Sequence, residues 1–260
     1  AMYRAGYMTQ DEYLKTLTSS LNMTINRKGA YVQSMHDASF DAWIKEYRPN
    51  ENSANNSISY YLKGSVLAAL LDIEIVAASD GKKSLDDLMK HLYNEFYIKQ
   101  NRGFTDDEFY NAIDLVAGKS IGFRTWAETP NNTETVQKIG SVFKKISCMV
   151  SDVAKPNPYH TGITTEMKGD RMFVKSVESN SPAWLSDVQV GDELLAVNDI
   201  RIKGALEDII KLAGTEFNLL ISRAGLIRTV AFKTAMSPRV DLNIKIENKD
   251  HPLLLKWLAK

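Results

Sequence analysis

SYYLKGSVLAALLDIEI, residues 59–75, predicts the central helix of the fold. Between residues 62 and 78 the only polar side chains are Lys63, Ser65, Asp72 and Glu74. A helix over this range would be apolar on nearly every side, which is typical of a helix buried in a domain core. Its longest unbroken apolar run, Val66–Leu71, is much shorter than the about 20 residues that a membrane span needs. We therefore predict a buried core helix that presents Tyr60 and Tyr61 at its N-terminal end, within reach of a cleft.

Composition restricts the classes of function. A chain of 260 residues with 44% hydrophobic content can bury one or two cores, and we predict two domains. Its 32 basic and 32 acidic residues balance, so charge gives no support to a nucleic-acid partner or an anionic membrane. The single cysteine, Cys148, excludes an internal disulfide and a multi-cysteine zinc site.

The first 150 residues carry helix signals. Thr9 and Glu12 have capping-box spacing, and so do Thr105 and Glu108. Residues 50–57, NENSANNS, are rich in side chains that bond to their own backbone, so we expect a loop there. The predicted helices cover residues 10–22, 40–47, 59–78, 84–96 and 105–117, followed by two pieces between 120 and 145.

The pattern changes at Lys155-Pro156-Asn157-Pro158, where two prolines end any helix. The segments that follow predict strands at 171–178 and 193–197, a helix at 205–213, and a hairpin whose strands are 219–223 and 228–233. The fold class is therefore multi-domain α and β. We predict an all-α helical domain (1–150), a small β-rich domain (151–236), and a C-terminal strand and helix (237–260).

A catalytic motif is not evident. None of the four histidines belongs to a His-Glu-x-x-His pair, and no two lie at i, i+4 spacing. The sequence contains no Gly-x-Ser-x-Gly elbow and no phosphate-binding glycine loop. We therefore predict no metal ligands within these residues.

One signature marks the second domain. Ser181-Pro182-Ala183 followed by Val190–Asn198, VGDELLAVN, resembles the circularly permuted PDZ domain of bacteria. The sequence departs from that pattern at Asp199, where glycine is usual. In PDZ domains a peptide adds as an extra strand to the sheet, and its C-terminal carboxylate meets backbone amides of a glycine-containing loop.

The resemblance places a peptide groove in this chain. The loop is Tyr159–Ile163 and the receiving strand begins at Thr164. The implied groove residues are Thr161, Gly162, Ile163 and Thr164, together with Ala205, Ile209 and Leu212 from the helix. A PDZ fold whose groove is blocked by a neighbouring element is an equally open alternative.

A wider resemblance includes the helical half. Six segments are similar to motifs of the glycyl aminopeptidase family: Tyr3–Met8 (YRAGYM), Ser39–Lys45 (SFDAWIK), Tyr47–Pro49 (YRP), Ser59–Gly64 (SYYLKG), Leu71–Ile75 (LDIEI) and Lys83–Met89 (KSLDDLM). Members of that family are PDZ-bearing zinc metallopeptidases with a thermolysin-like catalytic domain. The resemblance covers about residues 3–117 and 159–234, and it fades between 127 and 153.

The resemblance implies roles for specific residues. The family's zinc ligands and general base would precede residue 1, so this piece would bind no zinc and have no activity by itself. Its Tyr-x-Lys-Gly element supplies a tyrosine hydroxyl to the oxyanion that forms when zinc-bound water attacks the scissile carbonyl. The matching residue is Tyr61, and Tyr60 is the competing candidate. The alternative is that both tyrosines are ordinary amphipathic core residues.

The function implied is that of the helical plus PDZ portion of a bacterial zinc aminopeptidase. It would remove small N-terminal residues, glycine or alanine, with the helical domain closing the active-site cleft. The implied partners are a peptide substrate, a C-terminal peptide at the PDZ groove, and an upstream catalytic domain of the same chain. The alternative is a non-catalytic PDZ protein that binds peptides or acts as a scaffold. A trypsin-like protease with a PDZ tail is disfavoured, because no nucleophile motif precedes the PDZ part.

Overall fold

The computed structural model describes residues 3–259, so the ends of the predicted segments 1–150 and 237–260 lie outside it. The contacts divide this part of the chain into two compact units. The helical unit contains residues 3–46, 58–153 and 240–259, and the β unit contains residues 47–57 and 154–239. Among residues 3–259 there is no helix with the length and apolar character of a membrane span.

Helices make up most of the helical unit, although α4, α10 and α11 belong to the β unit. In chain order the α-helices are α1 (Gln10–Asn26), α2 (Met35–Phe40), α3 (Ala42–Lys45), α4 (Ser53–Asn56), α5 (Tyr60–Ala78), α6 (Leu85–Leu92), α7 (Asp106–Ala117), α8 (Phe123–Glu128), α9 (Thr135–Lys144), α10 (Pro182–Leu185), α11 (Leu206–Ala213) and α12 (Pro252–Trp257). A 3-10 turn, Lys28–Tyr31, follows α1, and a π-helical turn, Tyr93–Ile98, extends α6.

The strands form two antiparallel sheets, one in each unit. They are β1 (Cys148–Asp152), β2 (Ile163–Lys168), β3 (Arg171–Val177), β4 (Glu193–Val197), β5 (Ile200–Arg201), β6 (Glu216–Arg223), β7 (Leu226–Lys233) and β8 (Leu242–Ile246). In the helical unit β1 pairs with β8, with Val150 opposite Ile244. In the β unit the order is β2-β3-β4-β6-β7, and β5 adds to β4.

The prediction of a central buried helix is confirmed by α5. Its side chains enter two cores. Leu70 and Ile73 pack with α1, α9 and α12 in one cluster, whereas Leu71 and Ile75 pack with α6 and α7 in another. Beyond its first turn α5 is therefore buried on most of its surface, and it is the element around which the helical unit is built.

The helix starts follow local capping chemistry. The predicted capping boxes of Thr9 and Thr105 are both formed, and Ser84 with Asp87 forms a third. Helix α1 continues beyond the predicted end at Asn22, because tertiary contacts support its last turn. Asn26, the last residue of α1, accepts from the backbone amide of Val240 (2.9 Å) and donates to the carbonyl of the same residue (2.8 Å).

Two local predictions need correction. The short helix expected over residues 40–47 is present as α3, but a further helix, α2, precedes it, with the break at Asp41. The earlier start follows from Ser34, whose hydroxyl caps the amide of Asp37 at 3.0 Å. The expected loop at 50–57 contains the single turn α4.

The fold class predicted from the sequence is confirmed, with one addition to the helical unit. Strands β1 and β8 give that unit a small sheet, so residues from Val240 onward are part of it rather than a separate tail. Helix α12 completes the core through Trp257, whose ring meets Phe143 edge to face with centroids 6.2 Å apart.

The β unit closes around a core of its own. Val197, Leu219 and Ile221 from the sheet pack with Leu206 and Ile210 of α11. The predicted hairpin turn at residues 224–225 is present, with both residues at positive φ (49° and 85°). Asn55 joins the 47–57 segment to this unit, because its side chain donates to the carbonyl of Val177 (2.8 Å) and accepts from the amide of Ser179 (3.0 Å).

Candidate functional site

The two predicted site tyrosines lie in the first turn of α5. Tyr61 is 66% exposed, whereas Tyr60 is half-buried against a small cluster that includes Ala38 and Ile58. Their ring centroids are 4.2 Å apart, with the rings tilted by 31°. Tyr61 is therefore the more exposed phenol of the pair, and the ring of Tyr60 packs beside it. The catalytic role of either residue stays a prediction.

Gly64 lets another element approach this turn closely. A Cβ at Gly64 would lie 3.2 Å from the terminal methyl of Met35, at the start of α2. Helix α2 is thereby held against α5 directly behind the tyrosines.

Lys63 anchors the same turn and was not identified from the sequence as a site residue. Its side chain is buried, at 2% exposure, and its ammonium donates to the backbone carbonyls of Gln33 (3.1 Å) and Ala30 (3.4 Å). Desolvation lowers the pKa of Lys63 to about 8, and the negative charge of Asp37 acts weakly in the opposite direction. A lysine in an otherwise apolar helix is the signal that indicates such a buried polar anchor.

A second polar anchor fixes the middle of α5. Asp72 accepts from the guanidinium of Arg4 (2.5 Å) and from the amide of Leu85 (2.8 Å). Arg4 also donates to the carbonyl of Trp257 (3.1 Å), and the hydroxyl of Tyr3 donates to that of Leu258 (2.9 Å). Burial raises the pKa of Asp72, with the hydrogen bond from Leu85 and the charge of Arg4 opposing that rise. The segments YRAGYM and LDIEI therefore meet in space.

The predicted carboxylate loop of the β unit is built around Gly162. Its φ is +76°, and a Cβ there would overlap the side chain of Ser181. Ser181 caps α10, so the Ser-Pro-Ala turn packs directly on the loop. Thr161 is buried, its carbonyl accepts from Ala183 (2.9 Å), and its hydroxyl accepts from the amide of Ile163 (3.2 Å). The structure therefore brings Thr161, Gly162 and Ile163 together with the Ser181 turn.

The receiving strand and the groove helix are also in place. Thr164 is exposed on β2, which is the edge strand of the sheet and pairs with β3. On α11, Ile209 is partly buried against the core, Leu212 is 87% exposed, and Ala205 is the exposed N-cap. Whether these residues contact a peptide stays a prediction.

The described residues do not fit a zinc site. Between residues 3 and 259 no group of three or more His, Cys, Asp or Glu side chains is placed to hold a metal ion. This part of the chain therefore offers no ligand set of its own for the zinc that the family resemblance implies.

Two segments of the chain match models of known protein families. Residues 1–67 match the profile of the M61 glycyl aminopeptidase family, and residues 173–223 match that of the PDZ domain. The first match includes Tyr61. A search of curated proteins returned no match.

Solved structures show the fold. An aminopeptidase N family protein from Idiomarina loihiensis superposes on 100% of this chain with a TM-score of 0.82 and 22% identity. This chain covers 46% of that protein, less than half of its length.

Two further structures match more weakly. One is an HtrA-type protease with a decapeptide, at 14% identity over 30% of this chain and 29% of that chain. The other is a photosystem II D1 C-terminal processing protease, at 16% identity over 65% of this chain and 43% of that chain. Both have a TM-score of 0.27, too low to support an argument. The two family matches confirm the resemblance found in the sequence: one segment is similar to the M61 glycyl aminopeptidase family and another to the PDZ domain.

Proposed function

We propose that this chain is the helical plus PDZ portion of a zinc-dependent aminopeptidase that removes glycine or alanine from the N-terminus of peptides. The observation that carries the proposal is the M61 match over residues 1–67. It contains the Tyr-x-Lys-Gly element, in which Tyr61 lies exposed at the start of α5. Zinc and its ligands would come from a catalytic domain that precedes this segment in the intact enzyme.

In this proposal Tyr61 donates a hydrogen bond to the oxyanion of the tetrahedral intermediate. An ordinary phenol is neutral near pH 7 and can donate to developing negative charge. Such a donor is worth about 3–4 kcal/mol when it is pre-positioned. Lys63 and Gly64 support that positioning, since they hold the turn that carries Tyr61 against the 28–35 segment.

An assay of the intact protein tests the proposal. We expect hydrolysis of glycyl and alanyl amides to exceed that of leucyl or phenylalanyl amides, to be lost on chelation and to return with zinc. The 260-residue chain alone is expected to be inactive and to bind no stoichiometric zinc. An intact protein that is inactive in the presence of zinc, or a 260-residue chain that cleaves these amides, would contradict the proposal.

A second candidate function is peptide binding by the β unit. The observation that favours it is an edge strand, β2, next to a tightly packed glycine loop, which is the arrangement that β-strand addition requires. Titration of peptides with free and amidated C-termini separates the possibilities. A preference for the free carboxylate assigns the loop at Gly162 as its binding site, whereas equal binding removes that assignment.

A further inference from the structure

A cavity of about 220 Å³ lies inside the helical unit, on the side of α5 that carries Lys63. It is partly open to solvent and is lined by residues of α1, α5, α8, α9 and the loop between α8 and α9. Its floor is apolar, formed by core residues that include Leu21, Leu67 and Ile139. The volume is below the about 300–1,000 Å³ typical of drug-sized ligands, so the cavity suits a smaller molecule.

The charges lining the cavity have one sign. Lys63 and Lys138 line it, and no aspartate or glutamate among the described residues does so. Lys138 is half-exposed and pairs with Glu134 at 3.3 Å, which is not a lining residue. Lys63 is the buried charge of the two.

Hydrogen-bond donors remain available in the wall. Lys63 uses two of the three donors of its ammonium on Gln33 and Ala30, and the described residues offer no third acceptor. The side-chain Nδ2 of Asn131 is buried and has no partner in residues 3–259. Both residues meet at Ala30, whose carbonyl also accepts from the backbone amide of Asn131 at 2.8 Å. One donor of the Lys63 ammonium and the Nδ2 of Asn131 are therefore left without a protein acceptor among the described residues that line this cavity.

We propose that this cavity binds a small monocarboxylate with a branched apolar body, the carboxylate accepting hydrogen bonds from Lys63 and Asn131. Such a ligand supplies the acceptors that the buried donors lack, and an unmade hydrogen bond at a buried donor is costly. Although burial lowers the pKa of Lys63 to about 8, the side chain is largely cationic near pH 7. An amine or a zwitterionic amino acid would place a second cation next to Lys63 and is disfavoured.

The site is separate from the proposed peptidase chemistry, but it borders the same turn. Lys63 is two residues from Tyr61, so an occupant would restrain the start of α5. Because a ligand that binds only the folded state stabilises it, binding is measurable as a rise in the unfolding temperature.

The test uses the full chain and four probes of nearly equal shape: 4-methylpentanoate, 4-methylpentanol, 4-methylpentylamine and leucine. Trp126 lines the cavity and reports binding through its indole N–H signal in NMR titrations. The exposed Trp43 and Trp184 act as internal references. We expect 4-methylpentanoate alone to shift the Trp126 signal at low millimolar concentration and to raise the unfolding temperature.

Variants locate the carboxylate. Lys63→Met keeps an unbranched side chain, one atom shorter, and removes the charge, and Asn131→Ala removes the unsatisfied donor. Each is expected to weaken binding about ten-fold or more, since a hydrogen bond to a charged group is lost. Lys144→Met, which removes an exposed lysine of α9 outside the cavity, is the matched control and is expected to leave binding unchanged.

Should Lys63→Met not fold, Asn131→Ala and the wild-type titration decide the question. The proposal is overturned if Trp126 does not respond to 4-methylpentanoate. It is also overturned if the alcohol or the amine binds equally well, or if Asn131→Ala binds like the wild type.

Discussion

The ammonium of Lys63 lies 3.1 Å from the backbone carbonyl oxygen of Gln33, buried beneath the turn that carries Tyr61. This contact joins the most apolar helix of the chain to the segment between α1 and α2. The contact also holds the charged ammonium in the core without a carboxylate in direct contact. The free energy that this burial costs therefore depends on pH.

The stability contributed at this position is expected to vary with pH. The pKa of Lys63 is about 8 in the folded chain and 10.5 ordinarily, so between these values the unfolded chain binds the proton more tightly. Stability relative to Lys63→Met should therefore rise with pH through this window, by about 3 kcal/mol in total. The cost of the buried charge is fully present below pH 8.

Urea unfolding of wild type and Lys63→Met at several pH values between 7 and 10.5 measures this difference. The exposed Lys144→Met supplies the background for the loss of one lysine. A wild-type to Lys63→Met difference that does not change over the window would show that Lys63 is not desolvated.

Asp72→Asn tests the second anchor of α5. The substitution removes the negative charge that faces Arg4, although Arg4 keeps Asp86 at 3.0 Å. We expect a loss of about 2 kcal/mol in the free energy of unfolding, because a buried hydrogen bond between charged groups is weakened. Asp86→Asn, which removes the exposed partner of the same arginine, should cost less than about 1 kcal/mol. Equal losses of unfolding free energy in the two variants would show that the burial of Asp72 does not determine how much it stabilises the fold.

Gly162→Ala tests the packing of the carboxylate loop. The new Cβ would collide with Ser181 and would also have to adopt a φ of +76°, so the two penalties add. We expect the β unit to lose more than about 2 kcal/mol of stability, together with its affinity for C-terminal peptides. Gly169 has a similar φ of +66° but open space around it, so Gly169→Ala should cost only about 1 kcal/mol. Chemical unfolding measures the stability of the two variants. A Gly162→Ala variant as stable as Gly169→Ala would refute the close packing of Gly162 on Ser181.

Elements set by local chemistry could be predicted from the sequence. The apolar pattern of α5 and the capping boxes at Thr9 and Thr105 depend on residues within a few positions of each other, and all three are present. The C-terminal strand, β8, was predicted, but its partner β1 was missed, because Val150 pairs with Ile244 far along the chain and the five residues of β1 give little local signal.

The candidate site could be predicted only in part. Tyr61 was predicted from the resemblance of the Tyr-x-Lys-Gly element, and Gly162 from the carboxylate-binding loop that the PDZ resemblance implies. The partners of Lys63 are backbone carbonyls of Gln33 and Ala30, which no side-chain pattern encodes. For the same reason the cavity at Asn131 becomes visible only when α1, α5 and α9 are assembled.

Tyr61→Phe in the intact enzyme is the most direct test of the proposed function. The substitution keeps the ring and removes the hydroxyl that would donate to the oxyanion. We expect kcat for a glycyl or alanyl amide to fall about 100-fold with little change in KM, because the lost interaction exists only in the transition state. Tyr60→Phe, which alters the half-buried neighbour, is the matched control and should change kcat only slightly. An unchanged kcat in Tyr61→Phe would contradict the proposed role of the hydroxyl.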